Sequence, residues 1–314
     1  MKTDAGISRR LGFYSNGGVD VQVTTMFSRG CGKAAGVALT VSALALALPG
    51  TARGQSADDP NPGAITFTGG FDVLPGSAYV FRGITQESDP KITMWPYGDI
   101  GIALQSGDGA IKSTSLNFGV WNSLHTGSAG LDGPSGQLHY ELDFYATLGL
   151  GFSRGFALGT TYTSYTSPNS MFGTVKEIAL KLSKTHMLNP YGLVAMELGG
   201  DAAPAADGGN PGTYLELGVG PTFPLMESGL AVTVPFKLGM SLKDYYEGFD
   251  GDQKFGFVDI GALLTMPIKG IPPSYGAWNF HAGADLFFFG KTTEALNSGD
   301  NMKVTGLFGI GVSY

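Results

Sequence analysis

The chain has 314 residues, including 50 glycines, and its formal net charge is −7. Only 14% of the residues are charged and 11% are aromatic. The glycines follow no strict triplet, which excludes collagen, and an acidic balance without a basic stripe argues against nucleic-acid binding. Such a composition is typical of a β-barrel whose outer wall meets lipid.

Residues 26–54 have the pattern of a secretory signal. Arg29 and Lys33 precede a short apolar run, which ends in small residues before Gly54. We predict cleavage between Gly54 and Gln55. A membrane anchor is the alternative, but the run is short of the about 20 residues that a spanning helix needs.

The rest of the chain divides around this signal. Residues 1–25 lack periodicity and are interpreted as an upstream leader outside the fold. Residues 55–63 are polar and proline-rich, which predicts a periplasmic leader, and residues 64–314 carry the barrel pattern. The single cysteine, Cys31, lies in the signal, so we expect no disulfide in the mature chain.

Twelve segments between residues 64 and 314 alternate apolar and polar side chains and are predicted to be strands. They are 64–86, 91–104, 115–125, 138–152, 156–166, 173–183, 188–199, 212–224, 229–242, 254–266, 276–289 and 301–314. Pro235 lies within one of them and predicts a bulge, because proline removes a ladder hydrogen bond.

The clearest alternation is in residues 138–166. Every even position from 138 to 152 is apolar, whereas the odd positions are polar or small and include Glu141 and Asp143. The run is longer than the usual 5–6 residues of a strand and fits the about 9–11 of a membrane-spanning strand. A soluble sandwich would bury the apolar face instead. The sequence therefore predicts a long hairpin with one lipid-facing side.

With the N-terminus in the periplasm, the shortest connections fall on the periplasmic side and the long loops fall outside. This asymmetry is typical of outer-membrane barrels. We therefore predict an all-β fold, a single transmembrane antiparallel up-and-down β-barrel of about twelve strands in the bacterial outer membrane.

The side of each strand that faces the lumen carries eight acidic and three basic residues, predicted to line a pore. They are Arg82, Asp99, Glu141, Asp143, Glu177, Lys181, Glu197, Glu216, Lys237, Asp259 and Asp285. The acidic excess predicts a narrow, weakly cation-selective porin for small solutes. The alternative is an internal ion-pair network that closes the barrel. Asp99, on the next strand, is the expected partner of Arg82.

A second class of function is a lipid hydrolase of the outer membrane. It would need a serine–histidine pair that opens to the lipid side. His125, His139 and His281 point inward by parity, and His186 lies in a turn. The one G-x-S-x-G match, residues 151–155, lies at the tight break of the predicted hairpin and not at a strand-to-helix turn. The chain is therefore expected not to be an enzyme and to bind no cofactor.

A third possibility is a closed scaffold or adhesin whose extracellular loops bind partners. The most polar loop, residues 243–253, gathers four acidic and three aromatic side chains. Its carboxylates could hold calcium, but their spacing does not match an EF-hand, and a solvated loop without metal is the favoured interpretation.

The stretch Tyr79–Gln86 reads Tyr-Val-Phe-Arg-Gly-Ile-Thr-Gln and is followed by Asp89-Pro90. It resembles the signature near the start of TorF-like porins, carried here by Phe81, Arg82, Gly83, Ile84, Thr85 and Gln86. The acidic-aromatic stretch 141–146 resembles the strand that follows in that family. The resemblance covers residues 64–183. It implies a bacterial outer-membrane barrel of the porin kind and no catalytic residues.

The C-terminal strand ends on an aromatic residue, Tyr314, after apolar residues at alternate positions. This ending resembles the insertion signal of outer-membrane barrels. The expected partners are therefore the barrel insertion machinery, through Tyr314, together with outer-membrane lipid and lipopolysaccharide. The sequence leaves the oligomeric state open.

Overall fold

The computed structural model describes residues 62–198, 211–248 and 251–314. The predicted leader, the signal and its cleavage site at Gly54 and Gln55 lie outside the described residues. The described strands are β1 Ile65–Pro75, β2 Val80–Phe81, β3 Ile84–Thr85, β4 Ile92–Ser106, β5 Ile111–His125, β6 His139–Phe152, β7 Phe156–Thr166, β8 Val175–Lys184, β9 Tyr191–Leu198, β10 Thr213–Val219, β11 Thr222–Pro224, β12 Ala231–Thr233, β13 Phe236–Lys243, β14 Glu247–Gly248, β15 Gly251–Asp252, β16 Phe255–Pro267, β17 Ala277–Phe289 and β18 Met302–Ser313. The helix α1 is Lys291–Leu296, and two 3-10 turns are Ser153–Gly155 and Pro273–Tyr275.

Fourteen of these segments form one antiparallel sheet that closes on itself. Each barrel strand pairs with its neighbour in sequence, and β1 pairs with β18 to complete the ring. At this seam the Phe67 and Tyr314 backbones exchange hydrogen bonds of 2.7 and 2.8 Å. Among the described segments of this sheet, every one except the short β11 pairs on both sides, which is what a strand-built membrane protein requires.

Two barrel strands are each interrupted at a proline. The segments β10 and β11 flank Pro221, and β12 and β13 flank Pro235. Counting each such pair once gives twelve barrel strands, which confirms the predicted fold. The pairing with β16 keeps one register on both sides of Pro235, so the bulge predicted there is absent. The Pro235 carbonyl still accepts a hydrogen bond from the Gly261 N–H at 2.9 Å, which preserves half of the ladder.

The two faces of the wall differ as the alternation predicts. In β6, Phe144 is 52% exposed on the outside, whereas the adjacent Asp143 is completely buried inside. The same contrast recurs in β18, where Phe308 and Ile310 are exposed and Thr305 is buried. Apolar side chains therefore cover the outside of the barrel. Among the described residues, no helix has the length and apolar character needed to cross a membrane.

The connections at the two ends of the barrel differ in length. At the end that holds both termini, the turns are short, and residues 107–110 and 153–155 are examples. At the other end the connections are longer and include residues 76–91 and 126–138. This asymmetry assigns the termini to the periplasmic side and the long loops to the extracellular side.

Candidate functional site

The connection between β1 and β4, residues 76–91, folds into the barrel and is called the inner loop below. At its tip β2 and β3 form a small ribbon. Arg82 and Gly83 make the two-residue turn, with φ angles of 43° and 78°. This left-handed pair matches a hairpin turn of the primed type, which favours glycine. The predicted first strand, 64–86, is therefore wrong after residue 75, where the chain leaves the wall.

Arg82 lies at the tip of the inner loop and is 4% exposed. Its guanidinium donates two hydrogen bonds to Glu177 on β8, at 2.7 and 3.0 Å, and one to the Tyr245 hydroxyl at 3.1 Å. It also lies 4.3 Å from the ring centroid of Tyr214. The expected Asp99 partner is wrong, because the loop carries Arg82 across the lumen to a different part of the wall.

Two predicted pore-lining acids, Glu141 and Asp143, lie on β6 and have almost no exposure. The Tyr79 hydroxyl of the inner loop donates a hydrogen bond of 3.1 Å to Glu141 Oε2. Glu141 Oε1 and both Asp143 carboxylate oxygens have no hydrogen-bond partner among the described residues. Buried carboxylates of this kind are costly unless they are neutralised. The inner loop thus covers two neighbouring buried acids.

The far end of the inner loop is held by Glu87. Its carboxylate lies 3.1 Å from His125 Nδ1, and it accepts hydrogen bonds from the Ser128 hydroxyl and the Ala129 N–H at 2.5 and 3.0 Å. Burial alone would raise the pKa of Glu87, but these hydrogen bonds outweigh it and hold the pKa below its ordinary value. The Glu87 anchor is therefore a carboxylate at neutral pH.

The other ring nitrogen of His125, Nε2, lies 2.6 Å from the Ser123 hydroxyl. A serine, histidine and carboxylate in series resemble the hydrogen-bond order of a hydrolase triad. All three side chains have 0% exposure and face the inside of the barrel. A hydrolase acting on membrane lipid would need the serine to open outward, so this chain of hydrogen bonds serves as an anchor for the inner loop.

Two other extracellular loops hold the tip of the inner loop. The Tyr246 hydroxyl donates to the Arg82 carbonyl at 2.8 Å. Asn297, which follows α1, accepts from the Thr85 N–H at 2.7 Å and donates to the Gly83 carbonyl at 2.8 Å. These residues were not predicted as functional. The aromatic pair at 245 and 246 in an otherwise polar loop was the one signal available.

Below the inner loop, a cavity of about 200 Å³ extends toward the periplasmic end. Six of the eleven predicted pore-lining residues line it, namely Arg82, Asp99, Glu216, Lys237, Asp259 and Asp285. The other five, Glu141, Asp143, Glu177, Lys181 and Glu197, do not. With Asp72, which also lines it, the cavity holds five carboxylates against one arginine and one lysine.

Most charged groups of the cavity are paired within the wall. Lys237 Nζ lies 2.7 Å from Asp259 Oδ2, and His281 Nε2 lies 2.7 Å from Asp72 Oδ1. Glu216 accepts hydrogen bonds from two tyrosine hydroxyls at 2.6 and 2.7 Å. By formal count, carboxylates therefore outnumber arginine and lysine in the cavity. No group of three or more metal-ligating side chains occurs in the part of the chain that is described.

Comparisons with known proteins return barrels of the outer membrane. The NanC porin is 13% identical, with 80% of this chain and 99% of that chain covered and a TM-score of 0.39. Salmonella typhi OmpF, in complex with daunomycin, is 9% identical, with 80% of this chain and 97% of that chain covered and a TM-score of 0.36. Outer membrane phospholipase A from Escherichia coli is 10% identical, with 80% of this chain and 93% of that chain covered and a TM-score of 0.39.

No family model matches the chain, and no curated protein matches it. Membership of the TorF-like porin family therefore stays a prediction. The geometry of the chain itself defines its class: a closed barrel of twelve antiparallel strands with an apolar outside and a charged inside. This is the architecture of a β-barrel of the bacterial outer membrane.

Proposed function

We propose that this barrel is a narrow porin for the passive passage of small solutes, with a weak preference for cations. The observation that carries the proposal is the cavity beneath the inner loop, where five carboxylates face two permanent cations. A lumen with net negative charge concentrates cations and repels anions. Twelve strands also enclose more space than the packed interior of an eight-stranded barrel.

The inner loop supports a narrow passage over a wide one. Its tip crosses the lumen and binds the opposite wall through Arg82 and Glu177. Solutes on the extracellular side must pass beside this loop or displace it. We therefore assign the constriction to the inner loop.

A closed scaffold with partner-binding extracellular loops is the second candidate. It is favoured by the loops around residues 246 and 297, which hold the inner loop in the extracellular mouth. The hydrolase alternative has less support, because the Ser123–His125 pair is buried inside the barrel. We propose no enzymatic role.

The proposed partners follow from the location. The apolar outside of the barrel would contact outer-membrane lipid and lipopolysaccharide. Tyr314 is 70% exposed at the periplasmic end of the seam, where the barrel insertion machinery could bind it.

Reconstitution into planar lipid bilayers tests the function. Stepwise conductance with a reversal potential favouring K⁺ over Cl⁻ would support the porin. Silence from a barrel that keeps its heat-modifiable mobility on gels would favour the scaffold. Release of lysophospholipid from vesicles would support the hydrolase.

A pair of double variants tests the origin of the cation preference. Asp99→Asn with Asp285→Asn removes two charges from the cavity wall and should lower the K⁺ preference. Glu141→Gln with Asp143→Asn removes two acids outside the cavity and is the matched control, with a smaller effect. Reversal potentials that stay unchanged in the cavity variant would contradict the assignment.

A further inference from the structure

The carboxylates of the cavity are not equally neutralised, and Asp285 differs most from the rest. It lies on β17, diagonally across from Asp259 on β16, since Asp259 pairs with Phe287 in the register and Asp285 with Gly261. Diagonal neighbours on one face lie about 7–8 Å apart. Lys237 is the cation beside them, and it bonds Asp259 through Oδ2 at 2.7 Å. Two carboxylates therefore share one lysine.

One buried acceptor at this point has no hydrogen bond, and a second carboxylate lies near it. Asp259 is completely buried, and its Oδ1 has no partner among the described residues. Asp285 is half-buried and lines the cavity, and its Oδ1 lies against Gly261. A buried, unsatisfied carboxylate oxygen carries a large energetic cost unless a ligand or water fills its coordination. This corner of the cavity can accept a further cation with N–H donors.

The space for the Asp285 carboxylate depends on a glycine in the neighbouring strand. A side chain at Gly261 would collide with Asp285 Oδ1 and with Pro235. Glycine at 261 thus lets the carboxylate lie against the wall while the cavity in front of it stays open.

Part of the remaining cavity wall is aromatic. Phe257 and Phe287 have ring centroids 5.9 Å apart, and the Trp95 and Trp121 rings are 5.5 Å apart. All four line the cavity. Aromatic rings offer contact area to an apolar body, and their faces attract cations, most strongly for tryptophan.

We propose that this cavity binds small organic cations, primary amines with a short apolar body, with the ammonium group at Asp285 and Asp259 and the body against the aromatic wall. An ammonium group has three donors, enough for Asp285 and the free oxygen of Asp259 together. An inorganic cation would leave the aromatic wall unused, and an anion would meet the carboxylate excess. The proposal names the solute class of the porin and, as a transport route, rests on that proposed function.

Intrinsic tryptophan fluorescence of the detergent-folded barrel tests the binding, because two of the three tryptophans line the cavity. The probes are n-butylammonium, 1-butanol and butyrate, which have similar size and differ in charge. A saturable change with butylammonium alone supports the site. Equal responses to all three probes would overturn it, and this result does not depend on any variant.

The variant Asp285→Asn should weaken butylammonium binding about tenfold or more, because it replaces a charge-assisted hydrogen bond by a neutral one. Asp108→Asn, in an exposed periplasmic turn, is the matched control and should bind as wild type does. Unchanged binding by the Asp285 variant would overturn the assignment of the ammonium site.

Bilayer recordings separate this proposal from the porin function. Conductance in KCl that butylammonium reduces in wild type, but less in the Asp285 variant, supports both. Conductance without this block retains the porin and rejects the site. Butylammonium binding by a barrel that never conducts retains the site and rejects the porin.

Discussion

Two ion pairs inside the barrel have the same N–O distance of 2.7 Å, but they connect different parts of the molecule. Lys237 and Asp259 lie on neighbouring strands, and their pair links wall to wall. Arg82 and Glu177 are 95 positions apart in sequence, and their pair links a loop to the wall across the lumen. The first pair lies in the cavity wall, whereas the second holds the inner loop across the extracellular mouth.

The surroundings of the two pairs differ as well. Lys237 is 21% exposed toward the cavity, whereas both members of the Arg82–Glu177 pair are almost completely buried. Breaking either pair leaves a buried carboxylate without its cation, but loss of Arg82 also removes a hydrogen bond to Tyr245 and the contact with the Tyr214 ring. Variants of the loop should therefore affect opening and stability, and variants of the wall should affect selectivity.

The largest expected effect, on single-channel conductance, comes from removing the inner loop. Replacing residues 77–90 by a short Gly-Ser linker empties the mouth of a twelve-stranded barrel, and we expect single-channel conductance to rise about twofold or more. A linker change in the periplasmic turn 268–276 is the control. Equal conductance of the loop-deleted and wild-type channels would show that the inner loop is not the constriction.

The next largest effect is the loss of stability when each ion pair is broken. Arg82→Met should lower the free energy of unfolding by about 3–5 kcal/mol, because Glu177 is left buried and unpaired. Lys237→Met also leaves the buried Asp259 without its cation, but it should cost less, because Lys237 makes one hydrogen bond there and Arg82 makes three. Urea unfolding of the detergent-folded barrel, followed by tryptophan fluorescence, measures both.

The double variant Arg82→Met with Glu177→Gln sharpens this result. It also removes the Glu177 charge that the single variant leaves unpaired, so it should recover part of the lost stability. Equal losses for the Arg82 and Lys237 single variants would erase the distinction between the two pairs.

The smallest effect is a pH dependence at the other end of the inner loop. The folded pKa of Glu87 is depressed, so its contribution to stability is complete above the ordinary value of about 4.5 and is lost as the pH falls through the lowered value. The titratable groups that face it are His125, which contacts it directly, and Tyr140, which stacks on His125. Channel opening should therefore become more frequent in acid.

Bilayer recordings between neutral and strongly acidic pH measure this dependence. Glu87→Gln should open more often at neutral pH and respond less to acid, whereas Glu227→Gln, on an exposed periplasmic turn, should behave as wild type does. A Glu87 variant with the wild-type pH response would exclude this anchor as the source.

The wall was predictable because it obeys a rule of period two. Alternation in β6 places Phe144 outside and Asp143 inside, and the structure confirms both positions. Parity and strand order also place Lys237 and Asp259 on the lumen face of neighbouring strands, but the register that makes them partners was not predicted. Parity requires only that one face meets lipid and the other does not, and each strand carries that information locally.

The inner loop was not predictable by the same rule. Val80, Phe81 and Ile84 are residue types that favour strands, and they do form a two-stranded ribbon. Alternation therefore does not distinguish a ribbon inside the lumen from a strand in the wall. The partner of Arg82 depends on where the loop ends in space. Likewise, Glu87 and His125 are 38 positions apart, and no local pattern brings them together.

The seam between β1 and β18 has a consequence for assembly. The inner loop leaves the wall directly after the first strand, yet Asn297, which holds its tip, comes just before the last one. The complete set of contacts that holds the inner loop therefore requires nearly the whole polypeptide. Contacts of such long sequence separation form late in folding. A chain without its final strand could neither close the barrel nor hold the inner loop in place. An inner loop with all its contacts therefore indicates that the barrel has finished folding.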